Sequence, residues 1–235
     1  MAIWDDIITE RDRKIIEGSG HASRMGLGKR PAMLIVDAQY GFIGLKSDIL
    51  TSIRTYPTSI GQEAWDAVDR IAKVLAKARQ VGIPVYYSQS GALPGEERFD
   101  SFARKRAGST PPPEDQPWPA YDIIADLAPQ PGEIVIKKRY ASPFLGTSLV
   151  NFLIADQIDT LLVCGFVTAG CVRAAVVDAH GYNYKIGVME DGCADRIQIS
   201  HKASLLDMDM KYADVMTSDE MIAYLDQIEG KVQTA

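Results

Sequence analysis

Cysteine and histidine are scarce in this chain, three of each among 235 residues. No Cys-x-x-Cys pair occurs, and His21, His180 and His201 have no ligand spacing, so the sequence predicts no metal site. Cys164, Cys171 and Cys193 cannot all pair, and free thiols in a reducing, cytoplasmic setting are expected. There is no Gly-x-Gly-x-x-Gly and no Gly-Lys-Ser/Thr, which removes the common nucleotide loops, and no cofactor is expected. No apolar run approaches the roughly 20 residues that span a bilayer. The opening MAIWDDIITERDRK is charged and lacks the apolar core of a signal peptide. Positive charge is in deficit: 25 Lys and Arg against 31 Asp and Glu give a net charge of −6, which argues against nucleic acid as partner.

The apolar fraction, 46% with 24% charged residues, is that of an ordinary globular protein, and the length suits one large domain. Residues 1–30 read as an amphipathic arm, with isoleucines that favour docking, followed by a Gly-, Lys- and Arg-rich connector. Residues 31–235 read as a single α/β domain. Its expected strands are Ala32–Val36, Val85–Tyr87, Ile134–Ile136, Leu161–Cys164, Ile186–Met189 and Val215–Met216. Helices are expected over 64–80, 146–156, 171–180, 202–212 and 218–229, the last opened by a Thr-x-x-Glu box at Thr217–Glu220. Apolar strands alternating with amphipathic helices predict a doubly wound, mainly parallel six-stranded sheet with helices on both faces. Residues 91–120, rich in Gly and Pro, interrupt the rhythm and suggest a lid or an interface element.

In such sheets ligands gather beyond the carboxyl ends of the strands. Three polar residues fall there. Asp37 closes the first strand, Lys138 follows the third, and Cys171 lies beyond the fourth in TLLVCGFVTAGCVRAAVVDA. Each has an ordinary structural explanation: a turn cap, a solvated end charge, a core cysteine. All three at one edge make a chemically complete set. Cys171 at a helix start is placed for easier thiolate formation, Asp37 can take its proton, and Lys138 can support the charge. Tyr40, Phe42, Tyr140 and Phe144 flank these motifs and can wall a small pocket or belong to the core.

The segments RPAMLIVDAQYGF, VIKKRYASPFLGTSL, GFVTAGCVRAAVVDA and ADRIQISHKASLLDMDMKYADV, taken in order, resemble the isochorismatase-like cysteine hydrolases. Within that family they are most similar to the N-carbamoylsarcosine and maleamate amidohydrolase branch. The resemblance implies a catalytic set of Asp37, Lys138 (four residues before Ser142) and Cys171. It also implies a cis peptide between Phe166 and Val167 and an oxyanion hole from the Val167 and Cys171 N–H groups. Arg196 becomes a clamp for a substrate carboxylate, against the alternative of a surface ion pair. Phe42, Tyr140, Phe144 and Thr168 become candidate substrate contacts. Pro143 stands where the family usually has alanine, and residues 44–62 lack the histidine-bearing metal motif of the nicotinamidase branch. His201 matches a family histidine, with a packing role as open as substrate contact.

The expected function is hydrolysis of a small amide or N-carbamoyl acid through a covalent cysteine intermediate, with release of ammonia. Vinyl-ether hydrolysis of the isochorismatase type and a non-catalytic binding module on the same fold are the alternatives. A homo-oligomer, dimer or tetramer, is expected from the arm and the resemblance.

Overall fold

The computed structural model describes residues 2–91 and 115–232. Its six strands are β1 (Pro31–Val36), β2 (Val85–Ser90), β3 (Ile134–Lys138), β4 (Thr160–Phe166), β5 (Lys185–Ala194) and β6 (Asp214–Met216). They form one sheet in the order β3-β2-β1-β4-β5-β6, every neighbouring pair parallel. Eight α-helices occur among the described residues: α1 (Glu10–Ser19), α2 (Tyr40–Ile43), α3 (Ile49–Thr55), α4 (Gln62–Val81), α5 (Leu149–Ala155), α6 (Arg173–Gly181), α7 (Gln198–Lys211) and α8 (Ser218–Val232).

β1 and β4 occupy the middle of the sheet, and every residue of both is buried. Successive side chains point to opposite faces of a strand. Met33 and Ile35 therefore enter one core, with Ile71 and Leu75 of α4 and Leu225 of α8. Ala32, Leu34 and Val36 enter the other, with Leu153 of α5, Val176 of α6 and Leu205 of α7. An amphipathic stripe on α4, including Val68, Ile71, Leu75 and Ala78, explains why that helix lies flat on the sheet. Chain order reverses between β1 and β4, and the crevice at that switch is the usual ligand edge of such a fold.

Several boundaries differ from the sequence expectations. β2 continues to Ser90 and β5 to Ala194, because polar residues at a strand's end remain paired after the apolar run stops. α5 begins at Leu149 instead of 146, since residues 141–148 are taken up by turns. α6 begins at Arg173: the preceding residues Thr168–Val172 form a π-type turn broken by Gly170 at φ −107°, ψ −105°. The short helices α2 and α3 were not read from sequence. The arm starts on its own chain, with Ile3 and Trp4 packed against the second core and Asp6 paired with Lys202 at 2.5 Å. α1 itself buries no residue. Most of the segment read as a lid or interface element, residues 92–114, lies outside the described residues.

Candidate active site

Gly165 sets the spacing of the site. Its φ of +117° and its close approach to β1 leave no room for a side chain, since a Cβ would stand 2.1 Å from the Val36 carbonyl oxygen. β1 and β4 are thereby held side by side up to the point where each leads into a candidate site residue. Asp37 follows β1 in a left-handed conformation, φ +49°, and its carboxylate is fully buried.

Strand register brings the partners to it. Ser88 lies opposite Val36, and Ser90 lies opposite Lys138. Lys138 ends β3, is 1% exposed, and places Nζ 2.7 Å from Asp37 Oδ2. The ammonium also donates to Ser90 Oγ at 2.9 Å and to the Tyr140 carbonyl at 3.1 Å. Three N–H bonds thus find three acceptors, the condition under which a buried ion pair is tolerated.

Cys171 lies in the π-type turn after β4, 9% exposed, and its thiol feels both the Asp37 and the Lys138 charge. The Phe166–Val167 peptide that opens the turn is cis. Burial, followed by the Asp37 charge, pushes the Cys171 thiol up to about 12, with Lys138 pulling in the opposite direction. This corrects the expectation of an easily formed thiolate. The α-helix begins two residues later than the sequence suggests, and the sulfur is desolvated beside a carboxylate. Cys171 at rest is a thiol beside the Asp37 carboxylate.

The turn is braced from α7 and the strand before it. Thr168 Oγ1 meets His201 Nδ1 at 2.8 Å, and the Ala169 N–H donates to Asp195 Oδ2 at 2.8 Å. Thr168 is wholly buried, so its hydroxyl serves this brace instead of facing a pocket. Burial lowers the His201 pKa, with Asp195 opposing that shift. His201 is thus a buried side chain bonded to the turn.

The remaining candidates separate. Arg196 leaves the end of β5 and donates to the Thr58 carbonyl, while Thr58 Oγ1 donates to the Gly41 carbonyl at 2.7 Å. It is thus linked through Thr58 to the α2 segment that follows Asp37. Phe42 is half-buried in that segment, and Tyr40 stacks on Trp118 at 4.8 Å. Tyr140 is exposed just beyond Lys138, which holds its carbonyl. Phe144 is drawn away from these, buried in the second core with its ring 5.6 Å from Tyr182 and 6.4 Å from Tyr184. Of the two sequence readings of Phe144, pocket wall or core, the structure favours core packing, which corrects the expectation of a substrate contact. Among the described residues, no group of three or more His, Cys, Asp or Glu is placed to hold a metal ion. Sequence reasoning missed Gln39, Ser88, Ser90 and Asp195; the Asp-x-Gln and Ser-x-Ser patterns at two strand ends were the available signal.

The model of the Isochorismatase domain matches residues 31–220. A maleamate amidohydrolase of Pseudomonas putida is 32% identical over 208 residues, covering 88% of this chain and 92% of that protein. An N-carbamoylsarcosine amidase of Arthrobacter sp. is 31% identical over 228 residues, covering 93% and 80%. Among solved structures, an N-carbamoylsarcosine amidase from Thermoplasma acidophilum aligns with a TM-score of 0.61 at 29% identity, covering 81% of this chain and 97% of that one. An isochorismatase family protein from Desulfovibrio vulgaris aligns with a TM-score of 0.71 at 25% identity, covering 85% and 100%. On these grounds, the chain belongs to the isochorismatase family.

Proposed function

We propose that this chain is a cysteine-dependent amidohydrolase that cleaves the C–N bond of a small amide or N-carbamoyl acid and releases ammonia. The observation that carries the reading is the buried Asp37–Lys138 pair, whose two charges both act on the Cys171 thiol. A thiol pushed up to about 12 exists as thiolate in only about one molecule in 10⁵ at pH 7. Attack must therefore coincide with proton transfer. Cys171 Sγ bonds to the substrate carbonyl carbon while its proton passes to Asp37, and the carbonyl oxygen gains charge facing the Val167 and Cys171 N–H groups. Asp37 then gives that proton to the leaving nitrogen as the C–N bond breaks, leaving a thioester. Water attacks the thioester with Asp37 again taking a proton, which returns to sulfur as the acid departs. Lys138 keeps the carboxylate in place throughout.

The names of the two relatives, a maleamate hydrolase and a carbamoylsarcosine amidase, belong to enzymes of acids. Carried to this chain, they support a substrate carboxylate paired with Arg196, with Phe42 and Tyr140 at the rim. Ammonia release across a panel of amide and carbamoyl acids and their neutral analogues tests the reading. Arg196→Ala should weaken binding of an acid substrate by about 1.5–3 kcal/mol, mainly in KM, and leave a neutral analogue nearly unaffected. Equal losses for both would make Arg196 structural. No ammonia from any member, with Cys171 alkylation without effect on turnover of a vinyl ether, would favour the isochorismatase reaction. No turnover at all would favour a binding module.

A dimer or tetramer is part of the proposal, supported by the exposed apolar residues Phe152, Ile154 and Tyr182 and by the unburied helix α1. Light scattering on the purified chain decides it.

A further inference from the structure

We infer that Ser88 and Ser90, kept in register by Gln39, are positioning residues for the general base: they fix the plane of the Asp37 carboxylate and so aim it at Cys171. The inference rests on the cysteine-hydrolase reading above. Ser88 Oγ lies 2.6 Å from Asp37 Oδ1, and Ser90 Oγ lies 2.7 Å from Asp37 Oδ2. The direction of both bonds is determined. Ser88 Oγ already accepts the Asp37 N–H at 3.2 Å, and Ser90 Oγ already accepts a Lys138 N–H at 2.9 Å. Each hydroxyl has one proton, and the carboxylate receives it. Both carboxylate oxygens are thus held by separate donors from β2, with Lys138 adding a third.

Gln39 is what lets β2 reach that far. β1 stops pairing where Asp37 turns into its left-handed conformation, and the Gln39 N–H folds back onto the Asp37 carbonyl at 2.7 Å. The buried Gln39 side chain then replaces the missing strand. Its Oε1 accepts the Ser90 N–H at 2.9 Å, and its Nε2 donates to the Ser90 carbonyl at 2.8 Å and the Tyr121 carbonyl at 2.6 Å. A primary amide supplies both a donor and an acceptor, which a backbone partner would otherwise provide.

Without Ser90, the Lys138 ammonium loses its competing acceptor and the carboxylate is free to rotate onto it. Misplacement of a catalytic group by about 1 Å can cost on the order of 10²-fold in rate. Ser90→Ala should therefore lower kcat about tenfold to a hundredfold with KM changed by less than about twofold, and Ser90→Thr, which keeps the hydroxyl, should restore most of it. Far-ultraviolet circular dichroism and the thermal midpoint are measured on each variant, and Cys171→Ala is assayed beside them. Should Ser90→Ala fail to fold, Ser88→Ala carries the same test on the other oxygen. A fully active Ser90→Ala beside an inactive Cys171→Ala overturns the positioning role and leaves the cysteine mechanism standing. Lost activity that threonine does not restore, in a folded protein, also overturns it. An active Cys171→Ala overturns the mechanism itself and this inference with it.

Discussion

Cys171 illustrates how burial outweighs a favourable location. A cysteine close to a helix start and a lysine suggests a low pKa, yet desolvation is the largest influence, and the neighbouring Asp37 charge adds to it. The sign gives a test. A free thiol ionises near 8.5, so its alkylation rate levels off above that pH. With the Cys171 thiol at about 12, its reaction with iodoacetamide should instead keep rising, about tenfold per unit from pH 7 to 10. Intact-mass spectrometry of timed samples follows it, and a plateau near pH 8.5 would show the thiol unshifted. Lys138→Met should slow labelling further, because the ammonium is what lowers the thiol pKa. The same change should cost about 3–5 kcal/mol in urea unfolding, since it strands a buried carboxylate.

Among the elements, the turn that carries Cys171 depends on α7 and the end of β5 as much as on β4. The Thr168–His201 contact ties it to a helix at whose start Ile199, and Ile197 just before it, are exposed. His201 has its folded-state pKa lowered by burial, so the unfolded chain takes up the proton first. Stability is therefore present above about pH 6.5, the unfolded value, and is lost as pH falls below it. The thermal midpoint should drop between pH 7.5 and 5.5, and His201→Asn, which keeps a polar atom near Nδ1, should flatten that slope. An unchanged slope would assign the effect to other groups. This brace also marks the limit of sequence reading. Asp37, Lys138 and Cys171 stand out because each ends or follows an apolar run that registers as a strand. Ser88 and Ser90 do not, because a polar stretch after Val85–Tyr87 looks like a loop when only hydrophobicity is read. Thr168, a candidate substrate contact by resemblance, is buried against His201, and a resemblance does not tell which way a side chain faces in a π-type turn. Phe144, six residues past Lys138, likewise follows the chain back into the core.

Across the whole molecule, the site and its main structural anchor lie at opposite edges of the sheet. The connector before β1 is pinned by two carboxylates: Asp214 accepts the Met25 and Gly26 N–H groups, both at 2.8 Å, and Asp159 accepts those of Lys29 and Arg30. Asp159 also passes its backbone between β1 and β5, donating to the Arg30 carbonyl and accepting from the Lys185 N–H, both at 3.0 Å. Burial raises the Asp159 pKa, but the bonds from Lys29, Thr160 and Arg30 together outweigh it and leave the net shift downward. A carboxylate lowered in the folded state stabilises above its unfolded value, near pH 3.9, and loses that contribution as pH falls further. Asp159→Ala should thus lower the unfolding free energy by about 1.5–3 kcal/mol at pH 7, the range for hydrogen bonds to a charged group. Near pH 3 the wild type should have lost part of the same interaction, so the gap between the two proteins narrows. Urea titrations at both pH values measure it, and an equal gap at both would mean that packing, not the charged bonds, holds the connector. Because β1 carries this anchor at its start and Asp37 at its end, the variant also asks whether the strand transmits a disturbance along its length. A close-packed central strand buried on both faces resists it, and kcat of Asp159→Ala at neutral pH should stay within about twofold of wild type.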